Sequence, residues 1–191
     1  MGLFYKMSDK KLLEIRNKIF CEDGIPVLEK NGFEQSPFPT SWYGKDDMGG
    51  YTYELCRLSN EEHLEIVTVY IIKGERWVQI HLNIFKLSPE LNSLEELKET
   101  DAIKFYLPPD SITKMRLRVD DIKGMPLFDY HFMFGGHKIK SYNSENGLKK
   151  RINQLRRLIK KDLMNIDYFV ERWHDIHQLN VTDWEGNKVN I

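Results

Sequence analysis

The sequence predicts a single α+β domain: an antiparallel meander-type sheet of about five or six strands with an N-terminal helix and one long amphipathic C-terminal helix. Three strand-like segments follow one another in the middle of the chain, and apolar residues recur at helical spacing near both ends. The chain has 191 residues, of which 41% are hydrophobic, so it can bury a core. Because no repeat or linker-like tract divides it, residues 1–191 are expected to form one domain.

The N-terminal part, residues 8–32, is predicted to be helical. Ser8 is suited to cap a helix that runs to Phe20, because its hydroxyl can accept a hydrogen bond from a free backbone N–H. Residues 24–26, Gly-Ile-Pro, are expected to interrupt this helix, and a short second helix then ends at Asn31-Gly32. Residues 33–50, rich in Pro and Gly, are predicted to form a long loop, and such loops are often functional.

The region 51–142 is predicted to be mostly β. The strands 51–58, 64–72 and 77–85 are separated by short polar turns, which favours an antiparallel meander. One further strand is predicted at 115–119. A two-residue Gly-Gly turn at 135–136 predicts a hairpin between residues 127–134 and 137–142.

The C-terminal helix is predicted over residues 145–178, followed by an irregular tail at 179–191. Apolar residues recur at steps of three and four from Leu148 to Trp173, and neither Pro nor Gly follows Gly147 in this stretch. A helix of about 30 residues would be about 45 Å long. Two arrangements suit that length: packing across the sheet, or projecting and pairing with a second copy of the chain.

The charge of the chain is unevenly distributed. The whole chain has 28 basic and 29 acidic residues, a net charge of -1, which argues against a uniformly basic protein. Residues 148–161 carry seven basic residues and no acidic one, so 21 basic and 29 acidic residues remain elsewhere, a balance of -8. This stretch is either a site for phosphates or an acidic partner, or an ordinary solvated helix face. Its basic residues are Lys149, Lys150, Arg151, Arg156, Arg157, Lys160 and Lys161.

The outward face of the third predicted strand is a candidate ligand site. Strand alternation places Trp77, Gln79, His81 and Asn83 in one row, where aromatic, amide and imidazole groups suit a ligand groove. Trp42 and Tyr43 in the preceding loop are candidates for the same site. The alternative is that a second helix covers this face and buries Trp77 and Phe85 as core.

Two groups of residues that contain histidines are candidates for metal binding or acid–base chemistry. Glu171, His174 and His177 share one side of the last helix but form an incomplete ligand set. Asp129, His131 and His137 surround the predicted hairpin turn and would allow an acid–base pair. Cys21 and Cys56 suit neither a disulfide framework nor a cysteine-rich zinc site, so we expect no metal and no cofactor.

The function predicted from these observations is a non-catalytic binding or interaction protein in the cytoplasm. No secretory signal, membrane span, phosphate loop, dinucleotide motif or catalytic triad is found in the sequence, and no motif points to a known family. Expected partners are a protein or a second copy bound through the long helix, or a small ligand, and no membrane. Two alternatives stay open: a nucleic-acid-associated protein using residues 149–161, and an enzyme with a site on the sheet face.

Overall fold

The computed structural model describes residues 5–59, 62–121 and 136–189, and it shows an α+β fold. All statements below concern these residues. Four helices and seven strands form the framework, together with three short 3-10 turns between β5 and β6. The helices are α1 (Asp9–Ile19), α2 (Ile25–Lys30), α3 (Glu145–Met164) and α4 (Ile166–Ile176); the strands are β1 (Glu34–Gln35), β2 (Tyr43–Lys45), β3 (Tyr51–Ser59), β4 (His63–Ile71), β5 (Gln79–Leu87), β6 (Met115–Arg116) and β7 (Asn180–Thr182).

The centre of the sheet is the predicted meander of β3, β4 and β5. The nine residues of β3 pair with β4 in full register from Tyr51 opposite Ile71 to Ser59 opposite His63. Two short strands, β1 and β2, lie end to end along the outer edge of β3, and β6 and β7 do the same along β5. All pairings are antiparallel except that of β7 with β5. Short strands at the edges limit the unpaired backbone that could join another chain.

Each face of the sheet is covered by a separate hydrophobic core. On the first face the helices pack over Leu55, Val67 and Leu82, and the apolar side of α3 and α4 is buried there. On the second face the segment 88–113 folds back over one half of the sheet, where Phe105 packs against Phe85 at a ring distance of 4.8 Å. The strands are therefore buried on both sides over much of their length, and alternation alone does not mark an open face.

The N-terminal helix is not interrupted at residues 24–26, contrary to the prediction. A π-helical turn, Phe20–Gly24, joins α1 directly to α2. The tight contact of Gly24 with the Phe20 ring explains why a glycine stands here: a Cβ atom on Gly24 would lie 2.4 Å from that ring. The predicted capping by Ser8 and the end at Asn31-Gly32 are confirmed, since Ser8 accepts a hydrogen bond from the Lys11 N–H and Gly32 has a φ of 82°.

The long C-terminal helix is broken, which corrects its predicted continuity over 145–178. At Asn165 the backbone leaves the helical region, with φ -114° and ψ 37°, and the Asn165 amide group donates to the Lys161 carbonyl oxygen at 2.7 Å. The side chain thus takes a carbonyl that a continuous helix would use. Helix α3 packs on α2 and on the π-helical turn, and α4 packs on β5, so the apolar stripe lies inside the molecule.

Two other predicted boundaries need correction. Residues 33–50 are not wholly loop, because they contain β1 and β2. The strand predicted at 115–119 is limited to Met115–Arg116, since Arg118 adopts a positive φ of 62° that ends it. Residues 127–134 of the predicted hairpin lie outside the described residues. No helix in the described ranges is long and apolar enough to cross a membrane.

Candidate functional site

A cavity of about 630 Å³ lies at the edge of the second sheet face, beside the region that segment 88–113 covers. Strands β3 and β4 supply its floor, the loop before β3 supplies one wall, and the 3-10 turn Ile103–Tyr106 supplies the other. Three acidic residues and one basic residue are in its lining, which gives it a negative balance. The lining residues are Thr40, Trp42, Asp46, Asp47, Met48, Gly50, Thr52, Glu54, Tyr70, Ile72, Lys73, Ile103 and Tyr106.

Large apolar side chains in this lining are unusually exposed. Met48 is 92% exposed, Ile103 51%, Ile72 44% and Trp42 38%. Each belongs to a different segment, so the fold has brought four apolar side chains together around one opening. A group of exposed apolar residues around a concave site is typical of binding surfaces.

Glu54 is the buried carboxylate of the floor, with only 5% of the residue exposed. Its Oε2 atom accepts a hydrogen bond from the Trp42 backbone N–H at 3.2 Å, and its own N–H donates to the Trp42 carbonyl at 2.9 Å. Burial raises the pKa of Glu54, and hydrogen bonds from Ser41 and Trp42 oppose the rise only in part. The site thus holds a poorly hydrated carboxylate beside an aromatic wall.

Lys114 lies among aromatic side chains next to the cavity. Its Nζ atom donates to the Tyr70 hydroxyl at 2.8 Å and lies 4.7 Å from the centre of the Tyr70 ring and 5.9 Å from that of Tyr106. Burial lowers the pKa of Lys114 to about 8, although the negative charge of Glu54 acts in the opposite direction. Burial also raises the pKa of Tyr70 to about 12. The Tyr70 hydroxyl therefore accepts from Lys114 and keeps its own proton available to a ligand.

The loop at the mouth of the cavity is held by Asp46. Its Oδ1 atom accepts from the backbone N–H groups of Met48 and Gly50, at 3.0 and 2.8 Å, and its Oδ2 atom accepts from the Thr52 hydroxyl at 3.1 Å. Both oxygens of the Asp46 carboxylate thus accept hydrogen bonds from the protein itself. Among the acidic lining residues, Asp47 accepts no hydrogen bond from the described residues, and Glu54 offers a ligand the acceptor capacity that Ser41 and Trp42 leave unused.

His81 adjoins this cluster. Its ring packs edge-on against Tyr70 at 5.6 Å, and neither ring nitrogen has a hydrogen-bond partner among the described residues. Burial, with the positive charges of Lys114 and Arg116 nearby, lowers the pKa of His81 to about 3. His81 is therefore neutral at physiological pH.

The six residues predicted to bind a ligand are not gathered into one site. Trp42 lines the cavity, whereas Tyr43 projects to the other sheet face and packs against Tyr53 at 5.4 Å. Asn83 is buried, where its amide donates to the Asp110 carbonyl and its Oδ1 atom accepts from the Thr113 hydroxyl. Trp77 and Gln79 line a second cavity, of about 490 Å³.

The basic residues of 149–161 lie on α3 and differ in their partners. Arg156 forms ion pairs with Glu22 and Asp23, and Lys149 pairs with Glu145. Arg151 donates to the Ser141 carbonyl and to Gln154. Within the described ranges no ion pair forms with the remaining four, which are exposed: Lys150, Arg157, Lys160 and Lys161.

The predicted histidine groups do not form a metal site in the described part of the chain, where no cluster of three metal-binding side chains occurs. His137 is 2% exposed and its Nε2 atom lies 2.7 Å from Oδ2 of Asp162. Asp129 and His131, its predicted neighbours, lie outside the described residues. His174 packs against His63 at a ring distance of 5.9 Å.

Sequence reasoning did not find Glu54, Tyr70, Tyr106 or Lys114. One signal was present: Glu54 shares a strand face with the apolar residues Cys56 and Leu58, which suggests that this face is covered as well. A carboxylate at such a position requires a partner or a function. Comparison with protein-family models, curated proteins and solved structures found no match for this chain.

Proposed function

We propose that this protein binds a small amphipathic molecule in the cavity at Glu54, with an aromatic or aliphatic body and an ammonium group. The observation that carries the proposal is a cavity of about 630 Å³ with exposed apolar side chains in its lining and a buried carboxylate on its floor. Its size is typical of small-molecule sites. The protein is accordingly a binding protein rather than an enzyme in this proposal.

The charge of the ligand follows from the lining. Asp47 and Glu54 carry carboxylates, while Lys73 is the one basic residue of the lining. Trp42 offers a ring face on which a cation is stabilised by the negative side of the π system. An ammonium group would sit between Trp42 and Glu54 and donate to the buried carboxylate, on which Lys114 acts only through its charge because its Nζ atom donates to the Tyr70 hydroxyl.

Isothermal titration calorimetry with two matched probes tests this proposal. Tryptamine and indole-3-propionate share an indole ring but carry opposite charges at pH 7. Tryptamine is expected to bind, and Glu54→Gln is expected to weaken that binding about tenfold, because a charge-assisted hydrogen bond is replaced by a neutral one. Trp42→Ala is expected to weaken the binding of both probes through the loss of the apolar wall.

The matched control is Glu34→Gln, an exposed carboxylate on β1 that is not in the lining. It removes the same charge and should leave tryptamine affinity unchanged. If tryptamine shows no saturable binding up to 10 mM, or if both probes bind equally well, the proposed ligand class is wrong.

Binding to a protein partner or to a second copy of the chain stays a prediction, and the long helix does not support it. The apolar residues of α3 and α4, such as Leu155 and Ile159, are buried against the sheet and are not available for pairing. A cytoplasmic location is also part of the proposal, supported by the free thiols of Cys21 and Cys56.

A further inference from the structure

The second cavity, of about 490 Å³, has a strongly basic lining. Arg76, Arg116, Lys138 and Lys140 line it, and Glu75 is the one acidic residue among the described residues of the lining. Glu75 already accepts a hydrogen bond from Gln79 at 2.8 Å. None of the residues in this lining belongs to the cavity at Glu54, so the two sites are independent.

Arg116 and Lys138 both lie against the indole ring of Trp77. The guanidinium carbon of Arg116 lies 4.6 Å and Nζ of Lys138 lies 4.5 Å from the Trp77 ring centre. One terminal nitrogen of Arg116 is buried without a hydrogen-bond partner among the described residues, although its backbone N–H donates to Asp120 at 2.8 Å. A buried N–H donor without a hydrogen-bond partner favours the binding of an anion.

The positive charge continues from this cavity onto α3. Lys138 and Lys140 also line a neighbouring depression together with Arg151, whose Nε atom donates to the Ser141 carbonyl at 3.3 Å. Lys150 and Arg157 are exposed on the solvent-facing side of α3, about 100° around the helix from Arg151, and are seven residues apart, hence about 10 Å along the helix. We call the resulting set the basic surface; it comprises Arg76, Arg116, Lys138, Lys140, Lys150 and Arg157.

We propose that the basic surface binds the phosphate backbone of double-stranded nucleic acid. Cations spaced along a helix and beside a cavity match the regular spacing of phosphates in a duplex. Binding to these phosphates does not require contacts with the bases. A membrane surface is disfavoured, because the apolar side of α3 is buried in the core and does not reach lipid. A single-stranded nucleic acid is disfavoured as the partner. Arg116 and Lys138 lie against the Trp77 ring, where a base would otherwise stack.

Fluorescence anisotropy with the full chain and a labelled 20-base-pair DNA duplex of mixed sequence tests the proposal. Binding is expected at 50 mM salt and should weaken at least tenfold at 200 mM salt, as for proteins that release several counterions. Lys138→Glu combined with Lys140→Glu is expected to weaken duplex binding at least tenfold. The matched control combines Lys45→Glu and Lys98→Glu, two exposed lysines outside the basic surface, and should change affinity less than twofold.

A labelled single strand of equal length and poly-glutamate are the competing probes. Tighter binding of the duplex than of both probes supports the proposal. Absence of duplex binding at 50 mM salt, equal binding of poly-glutamate or the single strand, or equal weakening by the control variant overturns it. Circular dichroism and thermal melting of each variant establish that the fold is intact, and Lys150→Gln with Arg157→Gln, both exposed, provides a second, milder variant expected to weaken binding several-fold.

Discussion

The Nε2 atom of His137 lies 2.7 Å from Oδ2 of Asp162, a carboxylate of α3 that Arg118 also contacts through two of its nitrogens. Three segments that are far apart in the chain thus meet at one buried carboxylate. Burial by itself would raise the pKa of Asp162, but the hydrogen bonds from Arg118 and His137 outweigh it, and the pKa lies below its ordinary value. This cluster fastens α3 to the sheet side of the molecule.

Asp162→Asn is expected to lower the free energy of unfolding by about 3 kcal/mol at pH 7, because the variant leaves Arg118 without its buried counter-ion. Urea denaturation measures the change. The control is Asp167→Asn, which removes a carboxylate whose side chain is 71% exposed and which pairs with Arg57; its effect should stay below about 1 kcal/mol. Equal effects of the two variants would contradict the assigned role of Asp162.

The lowered pKa of Asp162 also predicts how the stability of the fold changes in acid. A group with a lowered pKa stabilises the fold above its unfolded pKa, about 3.9 for Asp, and this stabilisation is lost as the pH falls through the folded pKa. The stability difference between wild type and Asp162→Asn should therefore be present at pH 5 and shrink below about pH 4. A difference that persists undiminished at pH 3 would show that the ionised carboxylate is not the source.

His81 is expected to destabilise the fold as the pH falls. Its pKa of about 3 lies below the value of about 6.5 for an unfolded histidine, so the unfolded chain binds the proton first. Between about pH 6 and pH 4 this one group should reduce stability by about 1.4 kcal/mol per pH unit. Both His81→Asn and His81→Phe should remove that slope in thermal melts across this range, and an unchanged slope in both variants would refute the prediction.

The loss of the Lys114 proton is expected to stabilise the fold at alkaline pH. Its pKa of about 8 lies below the value of about 10.4 for an unfolded lysine, so stability should rise between pH 8 and pH 9.5 as the folded form loses its proton. Lys114→Met and Lys114→Arg should both abolish the rise, the first because no charge remains and the second because the charge never leaves. Urea denaturation at several pH values checks it, and a rise that survives in Lys114→Met must come from another group.

Gly24→Ala is expected to cost about 1–3 kcal/mol through overpacking, because its Cβ atom would lie 2.4 Å from the buried Phe20 ring. Phe20→Leu creates space at this point and should make the glycine substitution less costly. A double-mutant cycle measured by urea denaturation should show coupling of at least about 0.5 kcal/mol. Additive effects would mean that the π-helical turn relaxes without involving the ring.

The elements that could be predicted are those whose pattern is carried by neighbouring residues in the sequence. The three long strands were found because short polar turns separate them, and the helices at the two ends were found because apolar residues recur at helical spacing. The break at Asn165 could not be found in this way, since apolar residues recur with helical spacing on both sides of it. The short strands β1, β2 and β7 escaped prediction because two or three residues carry no period.

The candidate site could be predicted least of all. Trp42 was predicted as a loop residue of a ligand site, but its relation to Glu54 depends on the pairing of β2 with β3. Lys114 lies 60 residues after Glu54 in the chain, and the two lie near each other because the segment 88–113 returns across the sheet. A cavity is a property of these long-range contacts, which no local pattern contains.

Local sequence was sufficient for the α+β class, for the order of the main elements and for the unequal distribution of charge, because propensity, periodicity and charge are properties of neighbouring residues. Folding in three dimensions was needed to decide which charges are paired and which apolar groups are exposed. It pairs Arg156 with Glu22 and leaves Lys150 free of any described ion pair, although both belong to one basic stretch. The reason is physical: burial and ion pairing depend on distances between elements, and those distances are set by packing.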